Sequence, residues 1–223
     1  MNITYYPYRP IHAEQGHITV IETAIPEMYS GFLRSFREAQ DSVKLSDEHF
    51  NRLALEKYTE WIGDLMLELD LDVKLKRLLL KHVLNSLDEY TATKLIDQAR
   101  ALSNEVLAAV DSLDIAMDVA PITEIDAIIK FSGLHFSPII HEDIYGKIET
   151  LVKALLELNE QKLVVLTNVT HYLDVSQMQD LVRLINTTPL TFLIIEFSSQ
   201  QHRGYFADCD YVGIDKDFLD SRD

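Results

Sequence analysis

The stretch from Leu163 to Phe197 constrains the fold more than any other part of the sequence. It opens with LVVLT and closes with LTFLIIEF, and apolar runs of this kind are typical of strands buried on both faces of a parallel sheet. Between them, apolar residues recur at helical spacing behind Asp174, which Gln177 follows at the interval of a capping box. The stretch therefore predicts a strand, a helix and a second strand of one parallel sheet.

Elements of the same kind are predicted on both sides of this unit. Strands are expected at HITVIET, at LHFSPII and near the end of the sequence, over residues 17–23, 134–140 and 211–214. Helical periodicity predicts helices after Pro26, from Asp47 to Leu69, and over residues 145–158. Both ends of the sequence are therefore interpreted as α/β structure.

The middle of the chain has a purely helical pattern. Residues 73–119 predict two long helices joined by a polar turn, and a shorter helix is expected from Thr123 to Phe131. The order α/β, all-α, α/β indicates a discontinuous α/β head domain of residues 1–70 plus 133–223. An α-helical leg domain of residues 71–132 interrupts this head domain.

Charge and composition limit the classes of function. The net charge is −16 at pH 7, which disfavours non-specific binding of nucleic acid by the monomer as a whole. Binding of a nucleic acid would need a local basic face, or a channel formed by assembly.

The single cysteine, Cys209, excludes an intramolecular disulfide. The sequence contains no apolar run long enough to span a membrane and no N-terminal signal segment, so we expect a cytoplasmic protein without membrane contact.

The motifs argue against nucleotide chemistry. A phosphate-binding loop needs several glycines and a terminal Lys-Ser or Lys-Thr after the first strand, whereas HITVIET is followed by a stretch with Gly31 alone. The magnesium-binding carboxylate that ATPases carry at the end of a buried strand is replaced by Thr167 and Asn168. Glu196 is the one acid at a strand end of the 163–197 unit, so a divergent nucleotide hydrolase would depend on it. We otherwise expect no ATP binding, and we assign no catalytic residue.

The densest basic cluster lies in VKLKRLLLK. Lys74, Arg77 and Lys81 are three and four residues apart, so they share one face of the predicted helix, and Lys76 adjoins them in sequence. Such a cluster is either a solvated face paired with local acids or a contact to phosphates through salt-sensitive attraction. All four residues are candidates for contacting nucleic acid.

Acidic residues crowd the junction LDIAMDVAPITEID. Asp114, Asp118, Glu124 and Asp126 supply carboxylates of the kind that calcium binds in flexible loops. The spacing is not that of an EF-hand loop, and helix capping with solvation explains the pattern as well. Both interpretations stay open on the residues alone.

Several segments, spread nearly from end to end, occur in an order and at spacings typical of one family. They are HITVIET, LELDLDV, LDIAMD leading to ITEIDAIIKFSGLHF, IYGKIETLVKALLELNEQK, LVVLTNVTHYL and LTFLIIEF, with ADCDY before the last strand. In these segments the chain resembles the short form of the Csn-two family, the CRISPR-associated adaptation proteins of type II-A systems.

This resemblance implies both a fold and a function. The fold would be a degenerate P-loop ATPase-like α/β head without nucleotide-binding chemistry, with an inserted α-helical leg. The protein would form a ring-shaped homotetramer that binds double-stranded DNA, especially its ends, in a central hole. Calcium would support the assembly, and no enzyme activity is expected. Its role would be spacer acquisition in adaptive antiviral defence, alongside the CRISPR integrase proteins and the effector nuclease.

The resemblance also bears on the metal ligands. The acidic junction of the family corresponds to Asp114 and Asp118, which are therefore the first choice for calcium contacts. Ala116 stands where family members have another acid, and Glu124 is the residue that would compensate. The DNA-contacting lysines of the family do not map onto this chain. The assignment of Lys74, Lys76, Arg77 and Lys81 to DNA therefore rests on their local clustering.

Two other functions stay open beside a non-enzymatic ring that binds DNA ends. One is a divergent nucleotide hydrolase that uses Glu196. The other is a protein–protein scaffold whose negative surface binds basic adaptation proteins without contacting DNA.

Overall fold

The chain divides into two compact units. The computed structural model describes residues 1–110, 113, 115–120, 124–137, 143–200 and 202–222. The first unit comprises Met1–Asp70 and Pro138–Asp223, and the second comprises Leu71–Ser137. Within the described residues, no helix is both long and apolar enough to cross a membrane.

The first unit has a mixed α/β structure. Its strands are β1 Asn2–Tyr5, β2 Ile11–His12, β3 Ile18–Thr23, β4 Val43–Ser46, β5 Arg52–Leu53, β6 Thr59–Asp64, β7 Leu163–Thr167, β8 Thr191–Phe197, β9 Asp210–Ile214 and β10 Asp220–Arg222. Its helices are α1 Pro26–Glu38, α2 Leu55–Tyr58, α6 Ile144–Glu157 and α7 Val175–Ile185, with 3-10 turns at Val169–His171 and Arg203–Phe206. The second unit contains α3 Leu71–Ser86, α4 Glu89–Val110 and α5 Ile125–Phe131.

Six strands form the main sheet, in the order β10-β9-β3-β8-β7-β6. The strands β9, β3, β8, β7 and β6 run parallel, and β10 is antiparallel to β9 at one side of the sheet. The strands β3, β7 and β8 are buried along almost their whole length, as their runs of Val, Leu and Ile predict. The α/β class is therefore confirmed. The carboxyl ends of the five parallel strands meet at one edge of the sheet, which we call the carboxyl edge.

The strand–helix–strand unit predicted over residues 163–197 is present as β7, α7 and β8. The two strands pair in parallel, with Leu163 opposite Thr191. The predicted capping box starts α7: the Gln177 N–H donates to Asp174 Oδ1 at 2.8 Å, and the Asp174 N–H donates to Gln177 Oε1 at 3.0 Å. The sequence identifies this helix start because a capping box is made entirely by neighbouring residues.

A smaller antiparallel sheet completes the core of the first unit. Its order is β2-β1-β4-β5. Ile3 of β1, Leu45 of β4 and Phe32 of α1 share one buried apolar cluster with Ile21 of β3 and Leu193 of β8. The small sheet and α1 therefore pack against one face of the main sheet.

In the second unit, α3 and α4 are the two long helices predicted within residues 73–119. The Thr91 N–H donates to Asp88 Oδ1 at 2.8 Å at the start of α4. The end of α5 is marked by Gly133, whose φ of +69° lies in the left-handed region that glycine adopts after helices. Thr123, the predicted start of this helix, lies outside the described residues.

The helix predicted from Asp47 to Leu69 is wrong, because this segment holds β5, the short helix α2, and β6. β6 pairs with β7, with Thr59 opposite Leu163, so these backbone groups bond to the sheet instead of forming a helix. Gly63 has a φ of +76°, a conformation that a right-handed helix does not contain. The spacing of the apolar residues suits a helix, but pairing with a distant strand decides the structure.

The strand predicted over residues 134–140 is wrong in its described part. Residues 134–137 have no regular secondary structure, and 138–140 lie outside the described residues. The Phe136 N–H donates to Asp72 Oδ1 at 3.3 Å. The Phe136 N–H is therefore satisfied by the Asp72 side chain, near the start of α3, and not by a neighbouring strand.

We predict that Gly63→Ala destabilises the protein by about 1–3 kcal/mol. An added Cβ would lie 2.7 Å from Glu68 Cδ, and a left-handed backbone is strained for alanine. Moving Glu68 away would break the 2.9 Å hydrogen bond that Trp61 Nε1 donates to Glu68 Oε2. Urea denaturation measures the change in the free energy of unfolding. Gly204→Ala is the control, because nothing lies within 4 Å of its Cβ position. Equal stability of the two variants would contradict the prediction.

Candidate functional site

Buried carboxylates lie at three strand ends of the carboxyl edge, the place where open α/β sheets bind ligands. They belong to Glu22 in β3, Asp64 in β6 and Glu196 in β8, with exposed fractions of 2%, 9% and 0%. A buried carboxyl group must be protonated or hydrogen-bonded to be tolerated. The partners of these three side chains therefore decide what chemistry the edge can support.

Glu196 is held by the turn that follows β7. The Thr170 N–H donates to Glu196 Oε1 at 3.1 Å, and the Thr170 hydroxyl donates to Oε2 at 2.8 Å. Burial raises the pKa of Glu196 to about 7; the Thr170 hydrogen bonds oppose this rise and the charge of Glu22 adds to it. Glu196, on which a nucleotide hydrolase would depend, is thus buried and hydrogen-bonded to Thr170.

Glu22 lies beside Glu196, because the two residues are opposite each other in the β3–β8 register. The His202 N–H donates to Glu22 Oε2 at 2.8 Å, and His202 Nδ1 lies 2.6 Å from Oε1. The Tyr211 hydroxyl also donates to Oε2. His202 precedes the turn Arg203–Phe206, and Tyr211 lies on β9. These hydrogen bonds of Glu22 therefore connect two later segments of the chain to β3.

Asp64 ends β6 and shapes the turn that follows it. The N–H groups of Met66 and Leu67 donate to Asp64 Oδ1, each at 2.9 Å. The Tyr172 hydroxyl donates to both carboxylate oxygens, at 2.9 and 3.0 Å. Burial, together with this hydrogen bond, raises the pKa of Tyr172 to about 12, so its hydroxyl remains a donor at neutral pH.

The connection from β3 to α1 has no room for a phosphate-binding loop. It consists of Ala24 and Ile25. The Ala24 N–H donates to the Ile214 carbonyl at 3.2 Å, the Ile25 N–H donates to Thr23 Oγ1 at 3.1 Å, and Pro26 has no N–H. Because these backbone donors are committed, the cradle of N–H groups that binds phosphates in P-loop proteins is not formed here.

Two further polar residues of this region also serve the fold. Lys147 is buried on α6, where its Nζ donates to the Leu65 carbonyl at 2.9 Å, and burial lowers its pKa. Asn168, after β7, donates from Nδ2 to the Tyr29 hydroxyl at 2.7 Å and accepts at Oδ1 from the Phe197 N–H at 3.2 Å. The carboxyl edge is therefore closed by its own hydrogen bonds.

A basic face is present on α3 in the second unit. The helix is continuous from Leu71 to Ser86, so Lys74, Arg77 and Lys81 lie on one side of it. The side chains of Arg77 and Lys81 are exposed, and neither has an ion-pair partner among the described residues. We call these three residues the α3 basic face.

Lys76, the fourth candidate for DNA contact, is placed differently. Its Nζ lies 3.9 Å from Asp72 Oδ1, one turn earlier on α3. Asp72 also accepts the Phe136 N–H, so Lys76 belongs to a contact that holds the segment after α5. The structure thus brings together three of the four predicted basic residues.

The predicted calcium ligands are not assembled into a site by the described residues. Asp114 lies outside the described part of the chain. Asp118 is exposed and accepts the N–H of its neighbour Val119 at 2.7 Å. Glu124 is exposed and precedes α5 without capping it through its side chain. No group of three or more His, Cys, Asp or Glu within the described residues is arranged to hold a metal ion, so calcium binding stays a prediction.

The fold and the closed carboxyl edge define an α/β protein built on a parallel sheet whose strand-end carboxylates are engaged by the protein itself. Residues 36–218 match the family model described as CRISPR-associated protein (Cas_Csn2), and the chain belongs to this family. The resemblance to the Csn-two family drawn from the sequence is therefore confirmed.

Solved structures are similar to this chain at low sequence identity. Stu0660 of Streptococcus thermophilus is 15% identical, with a TM-score of 0.56 over 100% of this chain and 76% of that chain. This similarity shows the shared fold alone. A nucleotide-free ATP-binding cassette from an ABC transporter is 12% identical, with a TM-score of 0.48 over 99% of this chain and 88% of that chain, and supports no functional conclusion. No curated protein matches the chain.

The sequence motifs do not point to Glu22 or Asp64. Glu22 leaves a weak signal, because it is a charged residue near the end of the apolar run HITVIET. Asp64 leaves none, since its segment has the periodicity of a helix. Their partners His202 and Tyr172 are 180 and 108 residues away in sequence, beyond the reach of any local pattern.

We predict that Tyr172→Phe destabilises the protein by about 1–2 kcal/mol, because it removes the donor shared by both oxygens of the buried Asp64 carboxylate. Urea denaturation at neutral pH measures the loss. Tyr58→Phe is the control, because Tyr58 is 43% exposed and its hydroxyl has no hydrogen-bond partner in the described structure. The prediction fails if both variants retain the stability of the unmodified protein.

Proposed function

We infer that this protein binds double-stranded DNA, especially its ends, without enzymatic activity, and acts in CRISPR spacer acquisition. Membership of the Cas_Csn2 family supports the link to adaptation. The observation that carries DNA binding is the α3 basic face, with Arg77 and Lys81 exposed and without acidic partners among the described residues. Phosphate contacts require cations of this kind, and they supply the salt-dependent part of DNA affinity.

In this proposal the first unit is a degenerate ATPase-like head, and the second unit is an inserted leg. The short β3–α1 connection and its committed N–H groups support a head without nucleotide-binding chemistry. The contacts of Glu196 with Thr170 also disfavour the nucleotide hydrolase that the sequence leaves open. We therefore propose a binding protein in which the α/β fold serves as a scaffold.

Assembly reconciles the proposed DNA binding with the charge of the chain. A net charge of −16 opposes the approach of a duplex to an isolated subunit. A ring-shaped homotetramer would gather several α3 basic faces around one duplex, and the effective concentration of each face for the DNA would rise. The CRISPR integrase proteins and the effector nuclease are the proposed partners in spacer acquisition.

We predict that replacing Lys74, Arg77 and Lys81 together by alanine weakens binding of a linear duplex by at least about tenfold at low salt. The plot of log affinity against log salt should become less steep by about 0.9 for each residue that contacts a phosphate. Fluorescence anisotropy with a labelled linear duplex, titrated at several salt concentrations, measures both quantities.

The matched control removes the same number of positive charges elsewhere. Lys130→Ala, Lys153→Ala and Arg183→Ala combined would serve, because each residue is exposed and ion-paired within one helical turn. This variant should retain most of the affinity and the salt dependence. An equal loss in both triple variants would contradict the assignment to the α3 basic face. Equal binding of linear and closed circular duplex by the unmodified protein would contradict threading through a ring.

We also propose that calcium stabilises the protein through Asp114 and Asp118, with Glu124 as a further ligand. Added calcium should raise the melting temperature, and Asp114→Asn combined with Asp118→Asn should abolish the shift. Differential scanning calorimetry with and without calcium measures this. Asp97→Asn combined with Asp180→Asn is the control, because both residues are exposed and paired with a nearby arginine. No shift in the unmodified protein would contradict a structural calcium ion.

A further inference from the structure

We propose that Glu22 and Glu196 share one proton and form a pH-sensitive latch over the carboxyl edge of the sheet. The latch would hold two segments: the turn Val169–His171 and the region of His202 with the turn Arg203–Phe206. It would be closed while one of the two carboxyl groups is protonated, and it would loosen when both are ionised. This inference is independent of DNA and calcium binding.

The register of the sheet brings the two carboxyl groups together. Glu22 and Glu196 are opposite each other on the parallel neighbours β3 and β8, so their side chains project from the same face. Neighbouring strands lie about 4.8 Å apart, and the two residues are 2% and 0% exposed. Two ionised carboxylates this close, and this well shielded from water, repel strongly, so sharing one proton is favoured.

Burial and the charge of Glu22 favour a proton on Glu196, and the hydrogen bonds around the pair allow it. Glu22 Oε2 accepts from the His202 N–H and from the Tyr211 hydroxyl, and His202 Nδ1 lies 2.6 Å from Glu22 Oε1. Glu196 is hydrogen-bonded by the backbone of Val169 and by the N–H and hydroxyl of Thr170. The Thr170 hydroxyl can accept from a protonated carboxyl group as well as donate to an ionised one. Burial raises the pKa of Glu196 to about 7, and the Glu22 charge adds to the rise.

Other groups face the pair from the elements around it. Tyr29 on α1 and Tyr205 in the turn Arg203–Phe206 are near enough for the charge of Glu196 to contribute to raising their pKa values, after burial. Both therefore stay neutral across the range in which Glu196 titrates. Arg203 Cζ lies 5.6 Å from the centroid of the ring of Tyr211, whose hydroxyl donates to Glu22. His202 is a further titratable group in direct contact with Glu22.

The two glutamates act on segments that are themselves connected. Thr170 belongs to the turn after β7, and His202 precedes the turn after β8. The Tyr205 hydroxyl donates to the Leu173 carbonyl and joins the two segments. Ionisation of Glu196 would place a second negative charge beside Glu22. The repulsion between the two charges would be relieved if these two segments moved and water entered. The carboxyl edge, closed by its own contacts, would thereby become accessible as the pH rises.

The direction follows from proton linkage. In the closed state Glu196 keeps its proton up to about pH 7, whereas in an open, solvated state it ionises near its ordinary value of 4.5. The open state is therefore favoured increasingly as the pH rises from about 4.5 to 7, and the effect levels off above that range. Between pH 6 and pH 8 the equilibrium constant for opening should increase by about tenfold.

Two backbone amides report on the latch directly, because the N–H groups of Thr170 and His202 donate to the two glutamates. We predict that their hydrogen-exchange protection factors, corrected for the intrinsic pH dependence of exchange, fall about tenfold from pH 6 to pH 8. In Glu196→Gln the fall should disappear. Glu56→Gln, which changes an exposed glutamate of α2, should leave the response intact.

The contribution of His202 must be distinguished from that of the carboxyl pair, because its imidazole contacts Glu22 directly. In His202→Asn the protection of Thr170 should keep its pH response. A response that vanishes in this variant would assign the effect to the histidine and overturn the proposal.

A direct titration keeps the proposal testable if Glu196→Gln does not fold. Carboxyl-carbon NMR on the unmodified protein should show one glutamate titrating with a midpoint near 7. A pair of ordinary midpoints for Glu22 and Glu196, or protection of Thr170 that does not depend on pH, would overturn the latch.

Discussion

The parallel pairing of β3 with β8 is the interaction on which the rest of the first unit depends. It places two buried strands side by side, from Ile18 opposite Phe192 to Thr23 opposite Phe197. One face of this pair joins the apolar cluster of α1 and the small sheet. The same ladder brings Glu22 next to Glu196. A single register therefore determines both the apolar core and the polar carboxyl edge.

The two consequences of this register have opposite energetic signs. Each large apolar side chain buried in the sheet contributes about 1.5–3 kcal/mol, whereas an unpartnered polar group in the same environment costs a comparable amount. The later segments of the chain remove that cost by supplying donors from Thr170, Tyr172, His202 and Tyr211. The position at which many α/β proteins hold a ligand is thus filled by the protein, and its polar groups stabilise the closure of the edge.

The sequence predicts those features that depend on neighbouring residues. The capping box of Asp174 and Gln177 and the apolar runs of β7 and β8 are of this kind. β6 is missed because its strand conformation depends on pairing with β7, about 100 residues later in the chain. The α3 basic face is visible in the sequence because helix spacing defines it, but the role of Lys76 in holding Phe136 through Asp72 requires tertiary structure.

The geometry of α3 bears on how an acidic chain would bind DNA in the proposed way. A rise of about 1.5 Å per residue places Lys74 and Lys81 about 10 Å apart along the helix, which is about three phosphates of one DNA strand. Acidic groups beyond about 8 Å are largely screened at physiological ionic strength, so this face can attract phosphates despite the net charge of −16. Three phosphate contacts would release few counterions, so one such face would bind DNA with low, salt-sensitive affinity. Several copies around one duplex would multiply the contacts without any change in the sequence, so the proposed DNA binding would depend on assembly for its strength.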